Sequence, residues 1–481
     1  MFYKDLRDYI KFLEEKNKLV RVKAQVSSEM EVVEISNRMT RSNGPVLLFE
    51  NVSGSKYPVL INAFGSMEKM AYALGVTDLD EIRKKIEEIV RPKIPDSFFG
   101  KVRSIPKFYK MFRSFRPKNV SDGVCQEIVK KDSFSLDEFP ILKYYPKDGG
   151  RYITLPLVIT RDPETGIRNA GMYRMQVFDG QTCGMHWHPH KDGARHYQKA
   201  EKLGRRLEVA VAVGSDTATT YAAAAPLPQD IDEFIFAGFL RGSPVELVKC
   251  RTVDLEVPAN SEIVLEGYIE PGERRLEGPF GDHTGHYSLP DYFPVFHLTC
   301  VTHRKDAIYH TVSTGIPPVE DNFLGKATER IFLPLVKLSI PEITDMNFPL
   351  EGGFHNIVIF SIKKSYPWQA HKIMHAVWGL GQMMFSKIVI IVDDDVNVSS
   401  ISDVLWNLGN NIDPGRDIVT AQGPADILDF SSLREGFGTK IGIDATRKFP
   451  EELDGRSWPE KISRKKEIIE LVEKRWREYG F

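Results

Sequence analysis

A chain of 481 residues exceeds what one hydrophobic core organises, so two or three domains are expected. Its 42% hydrophobic and 27% charged composition is that of an ordinary globular protein, and a formal net charge of −2 argues against a nucleic-acid binder that works by bulk charge. No apolar stretch approaches the roughly 20 residues needed to span a bilayer, and Cys125, Cys183, Cys250 and Cys300 are too scattered for a disulfide frame or zinc knuckle, reading instead as buried thiols of a reducing cytoplasm.

The chain opens on a charged amphipathic segment, unlike a signal peptide, in which Leu6, Ile10 and Leu13 mark one helical face. Residues 19–22 read as a short strand. Ser28 and Glu31 have the spacing of a capping box ahead of Val32, Val33 and Ile35. Strands at 46–49 and 59–61 and a helix over 80–90 complete a small α/β region. Residues 92–120 then mix four prolines with interleaved bases and aromatics, among them Lys101, Arg103, Phe108, Tyr109 and Phe112. Two readings fit: a surface for an acidic membrane or a long apolar substrate tail, or a linker arm packed on a neighbouring domain.

From 121 to about 320 the signals are mostly strands, at 153–155, 157–159, 207–213, 245–248, 263–265 and 296–298. Turn residues separate them, as in a β-barrel or sandwich, and helices interrupt near 193–203 and 229–240. After 325 the alternation returns: a buried strand at 357–360, a helix over 369–384 and a second buried strand at 387–392 form a βαβ unit. Asp393, Asp394 and Asp395 at its end fit a metal site or a loop and helix N-cap. A charged helix over 460–478, with Ile468, Ile469 and Val472, suits a partner or a neighbouring subunit. The division expected is 1–120, 121–325 and 326–481.

Three segments carry chemistry. The run Glu277-Gly-Pro-Phe-Gly-Asp-His283 places two carboxylates in a loop that Pro279 and two glycines keep from being helical. Such a loop is either a solvated turn or a holder of two acids whose environments push their pKa values apart, one donating a proton while the other stays ionised. His186, His188 and His190 alternate, so an extended chain would put them on one face, where with Glu233 they would resemble a zinc hydrolase. Pro189 spoils a regular strand there, and one metal-binding histidine is a better expectation than three. Arg174 ends Asn169-Ala-Gly-Met-Tyr-Arg174 as either a bidentate carboxylate clamp or a surface ion pair.

Taken together, these motifs resemble the UbiD-like decarboxylases, which use prenylated FMN to remove or add carboxylate on aromatic and unsaturated acids. The likeness runs through Asn169–Arg174, the segment from His190 to Gly193, the run from Pro226 to Glu233, and Leu276 to His283. It begins at Tyr3 and extends to Gly442-Ile-Asp-Ala-Thr446, covering nearly the whole chain. The resemblance implies an α/β multidomain fold: an N-terminal α/β region, a central split β-barrel binding the flavin, and a C-terminal α/β domain mediating oligomerisation as a dimer or hexamer. It implies that Asn169, His190 and Glu233 hold Mn²⁺ against the cofactor phosphate, with K⁺ as a further ion. Met172, Tyr173, Arg174, His186, Trp187, His188, Lys191 and Asp192 would contact the flavin, and Arg174, Glu277 and Asp282 would be the catalytic set. A separate flavin prenyltransferase would supply the cofactor. Asp282 favours the quinone-pathway branch, acting on 4-hydroxy-3-polyprenylbenzoate or a dihydroxynaphthoate, whereas His186 stands where that branch often has Arg. The competing readings are a carboxylase or decarboxylase of another aromatic acid, a histidine-cluster metal hydrolase, and a flavin-binding barrel without this chemistry. Location is expected to be cytoplasmic, with peripheral membrane contact as an alternative.

Overall fold

The computed structural model describes residues 2–90, 114–189, 191–228 and 231–481, a mixed α/β multidomain chain built on four sheets. The first sheet pairs Leu19–Val22 with Val46–Phe49 in parallel, and Val46–Phe49 with Val59–Ile61 antiparallel. Its fourth strand, Tyr309–His310, arrives from far along the chain and lies parallel to Val59–Ile61. The opening helix Leu6–Glu15 buries Leu6, Ile10 and Leu13 as their spacing predicts. The capping box at Ser28 does not form. Helix Glu31–Arg41 starts after Met30, whose φ of 67° breaks the chain direction, and Glu31 instead accepts the Ser27 N–H at 2.7 Å.

The central sheet has nine strands, every pairing antiparallel, and curls into a half-barrel. Alternation over Leu207–Val213 places Val209, Val211 and Val213 in one core and Ala210 and Ala212 in another on the opposite face. Curvature comes from the long hairpin Ile263–Glu277 with Asp291–His303, whose register shifts at Glu266/Gly267 and again at Ile269/Arg274. Gly267 is required at the first bulge, because a Cβ there would lie 1.9 Å from the His297 carbonyl oxygen. Helices Asp192–Lys202 and Glu233–Arg241 pack against this sheet; the first lies within one residue of its expected span, while the second starts only at Glu233, where Asp232 caps it, later than the expected 229.

The last sheet has five strands in the order Ile343–Asn347, Ile357–Ile362, Ile388–Asp393, Phe437–Asp444 and Ile418–Pro424. Its three inner strands are parallel and its two edges antiparallel. The helix expected over 369–384 ends at Trp378, and a 3₁₀ turn Gly381–Phe385 follows, entered through Gly381 at φ 47°. Asp393 and Asp395 are engaged by Arg447, and Asp395 also by Lys461, while Ser400 caps the following helix. The closing helix shortens to Lys466–Lys474 and has no buried residue. All four cysteines are free and buried. The basic-aromatic segment lies largely outside the described residues, among which no helix is long and apolar enough to cross a membrane.

Glu320 ties the first sheet to the rest. This fully buried side chain at the start of helix Glu320–Ser339 accepts the Asn62 and Phe64 N–H groups at 2.8 and 2.9 Å. Glu320→Ala leaves both amides buried without an acceptor, at about 1–3 kcal/mol each. The thermal midpoint, followed by circular dichroism, is expected to fall by roughly 5 °C or more, and by less for Glu320→Gln, which keeps one acceptor oxygen.

Candidate active site

The strand Arg168–Met172 carries Asn169 and Met172, and the two residues leading to the next strand are Tyr173 and Arg174. Glu277 is the last residue of the long strand Ile263–Glu277, and Asp282 lies in the loop beyond it. The fold brings these three side chains together in a wall where Arg174 is 9%, Glu277 0% and Asp282 10% exposed. Arg174 donates to Glu277 through Nε at 3.2 Å and Nη2 at 3.4 Å, and it bonds Asp282 Oδ2 through Nη1. Nη2 also donates to Ser288 Oγ at 3.0 Å, and the guanidinium lies 4.7 Å over the Phe280 ring.

Electrostatics follow from this sharing. Burial alone would raise the Glu277 carboxyl, but the Arg174 guanidinium and a 2.9 Å hydrogen bond from His186 Nδ1 outweigh it and hold Glu277 at about 2. Burial opposes the charge of Asp282 too, and there Arg174 and His283 prevail, holding it well below the usual carboxylate range. The loop therefore does not separate its two acids as expected. One guanidinium serves both, so both rest ionised.

Burial and then Arg174 lower His186, while burial and then His186 push His188 down to about 3, so both imidazoles rest neutral. With Nδ1–H toward the Glu277 carboxylate, His186 Nε2 accepts from His188 Nε2 at 2.8 Å. His186 thus belongs to Glu277 and not to Glu233, which removes the geometry a three-histidine hydrolase would need. Among the described residues no cluster of three or more His, Cys, Asp or Glu is placed to hold a metal.

Of the expected metal ligands, His190 lies outside the described residues, and Asn169 and Glu233 are adjacent: the Ala170 N–H donates to Glu233 Oε2 at 2.9 Å. Burial pushes Glu233 up to about 8, only partly offset by backbone N–H groups, with Asp232 and Asp192 raising it further. No ion pair to Glu233 exists among the described residues. A buried carboxylate in negative surroundings fits a divalent cation, whose charge would restore its ionised form. The groups expected at the flavin also fit an anionic, ring-bearing ligand. Lys191 is lowered by burial against the pull of Asp426 and Asp192 and makes no ion pair among the described residues. Trp187 Nε1 is buried without a hydrogen-bond partner. Gly193 gives it room, since a Cβ there would lie 2.8 Å away. Tyr173 accepts from Asn169 Nδ2 at 3.3 Å, and Asp192 pairs with Arg195 at 2.9 Å.

A cleft of about 600 Å³ adjoins this wall through His186, which bonds Glu277, and Ser288, which bonds Arg174. His188 and Phe293 also line it, together with Leu428 and Phe430 from the last third of the chain. The same region supplies Phe354, 4.6 Å from the His283 ring, and Asp426, paired with His355 at 3.3 Å. Sequence reasoning assigned none of these, nor Ser288. Only His283 carried a signal, as the neighbour of Asp282.

The chain matches three family models: the 3-octaprenyl-4-hydroxybenzoate carboxy-lyase N-terminal domain over 10–89, the Rift-related domain over 118–317 and the C-terminal domain over 322–445. An uncharacterized protein of Archaeoglobus fulgidus is 50% identical, covering 99% of both chains. Among solved structures, the UbiD-class enzyme HmfF from Pelotomaculum thermopropionicum in complex with FMN is 32% identical, with TM-score 0.81 over 98% of this chain and 99% of that one. The vanillic acid decarboxylase of Sedimentibacter hydroxybenzoicus, in closed form, is 30% identical, with TM-score 0.86 and full coverage of both chains.

The shared guanidinium sets a sign-defined response to acid. With Glu277 and Asp282 depressed, their contribution to stability is complete above the ordinary carboxylate value of about 4 and is lost as pH falls toward about 2. Arg174→Gln reverses this. Two buried carboxylates left with only their histidine contacts should cost about 3–5 kcal/mol at pH 7, and their raised values should let protonation restore part of it. Thermal midpoints at pH 7 and pH 5 are expected to show the variant's deficit shrinking at pH 5, with the parent nearly unchanged.

Proposed function

The chain belongs to the UbiD family of carboxy-lyases, and from that premise we propose that it decarboxylates an aromatic acid of quinone biosynthesis with Arg174, Glu277 and Asp282 as its reacting set. The observation that carries this reading is the single buried guanidinium shared by two ionised carboxylates beside the cleft. A substrate carboxylate entering the cleft competes for that guanidinium. As Arg174 turns to it in bidentate fashion, Asp282 loses its strongest stabilising charge and its proton affinity rises. Asp282 then hands a proton to the carbon from which CO₂ has left. Glu277, fixed by His186 and with His188 behind it, stays ionised and keeps Arg174 oriented.

Prenylated FMN, when bound, supplies the electron sink for the carbanion-like charge that develops as CO₂ departs. Lys191, Trp187, Met172 and Tyr173 would be among the residues that hold it, and Asn169, His190 and Glu233 would hold the Mn²⁺ that binds its phosphate. Support for the flavin comes from HmfF, described with FMN and, in an evolved dimeric form, with prFMN. Support for the acid comes from the carboxy-lyase family description, and 4-hydroxy-3-polyprenylbenzoate or a 1,4-dihydroxy-6-naphthoate-type acid is the substrate proposed. The family's other aromatic acids, such as the vanillic acid of the Sedimentibacter enzyme, are the alternative. The division at 120 and 325, a C-terminal part that joins copies into a homo-oligomer, and a separate flavin prenyltransferase complete the proposal.

The test is CO₂ release by protein co-expressed with a flavin prenyltransferase, purified without oxygen and supplied with Mn²⁺. Turnover of one quinone-pathway acid and not the other assigns the pathway; silence on both with flavin bound moves the substrate outside it. Glu277→Gln is expected to lower kcat by a factor on the order of 10³ while retaining flavin, and full activity in that variant would sink the mechanism. Glu233→Ala is expected to lose flavin on gel filtration, read from the visible spectrum of the protein peak.

A further inference from the structure

Both oxygens of Asp282 are engaged within the protein itself. Arg174 takes Oδ2, while Oδ1 accepts the His283 backbone N–H at 2.7 Å and faces His283 Nδ1 at 2.8 Å. The imidazole is only 13% exposed and packs against Phe354. Three carboxyl groups lie around it: Asp282 in its own loop, Asp321 in the first turn of helix Glu320–Ser339, and Asp426 from the last third of the chain. Burial works against a charged His283, but the ionised Asp282 bonded to it, with Asp426 beyond, outweighs burial and raises its affinity for a proton. Asp426 stays ionised beside His355, while Asp321 is buried with Oδ1 unpartnered, and burial keeps its carboxyl protonated well above the usual range.

Resting on the reading of Asp282 as the acid, we propose that His283 acts through Asp282 as its proton supply. The His283 Nδ1–H bond breaks as an O–H bond forms on Asp282 Oδ1. That O–H bond breaks in turn as a C–H bond forms at the carbon holding the electron pair left by CO₂. Solvent water recharges the imidazole, so each turnover releases one CO₂ and consumes one solvent proton. The arrangement answers a difficulty the site poses: an acid held so far down by Arg174 is a poor collector of protons from neutral water. A charged donor already at hydrogen-bond distance needs no collection.

His283→Asn tests this, because its amide still donates toward Oδ1 but carries no transferable proton. The variant is expected to lose roughly 100-fold in kcat, with KM and bound flavin unchanged. The charged carrier exists below its raised pKa and is lost as pH rises through it. Parent kcat should therefore fall on the alkaline side, and the variant should lack that limb. Asp426→Asn, which removes an ionised neighbour, should move the limb to lower pH. Independently of turnover, ring ¹⁵N signals of flavin-free protein, assigned by their loss in His283→Asn, should titrate above the ordinary histidine value and drop in Asp282→Asn. Parent-like kcat and pH profile in His283→Asn, with Glu277→Gln inactive, overturns the relay alone. Activity in Glu277→Gln overturns the site reading beneath it. An unstable His283→Asn leaves the ¹⁵N titration, compared with His283→Gln, to decide: an ordinary or lowered His283 value overturns the relay.

Discussion

Arg174 lies between Glu277 and Asp282 in a wall where none of the three is more than about a tenth exposed, and buried charges persist there only while their partners are complete. Two carboxylates against one guanidinium leave an excess negative charge. His283, bonded to Asp282 and with its proton affinity raised there, stands against that excess. Much of the surrounding structure serves that arrangement. The curl of the sheet brings Arg174 up to Glu277 from strands that do not pair with one another, Ser288 takes the remaining guanidinium direction, and Phe280 covers its face. A neutral His186, backed by a neutral His188, holds Glu277 without adding charge.

A second electrostatic imbalance lies around Glu233 and Lys191, with the opposite resolution. Glu233 has negative neighbours, and among the described residues neither it nor Lys191 has an ion-pair partner. The first cluster is complete without any ligand. The second is written for groups the chain does not itself contain. That contrast is why the cluster around Arg174 can be described from the protein alone, while the surroundings of Glu233 and Lys191 fit a cation and an anion.

Much of this was legible in the sequence because it is local. The loop from Glu277 to His283, Arg174 at its strand end and the alternation over Leu207–Val213 all announce themselves within a few residues. What failed did so for physical reasons. The helix beyond Trp378 has a helical pattern but Gly379 and Gly381 end it, and the capping box at Ser28 yields to a positive φ at Met30. The two-residue strand Tyr309–His310 is too short to have a period at all. The pairing of pKa values went wrong because a motif shows two acids but not the one guanidinium between them. Asp426, His355 and Phe354 are invisible for a further reason: they meet the catalytic loop from more than 70 residues away, and nothing around them in sequence marks that destination.

The cleft itself is bounded by residues with different allegiances. His186 and Phe293 are rooted in the half-barrel, whereas Leu428 and Phe430 belong to a region with its own apolar cores. The width of such an opening is a property of the seam between the two regions, not of any residue lining it. Two chains with identical linings could then admit acids of different girth, because a repacked contact far from the cleft tilts one wall against the other. Selectivity in this architecture can drift through the scaffold while the reacting groups stand still.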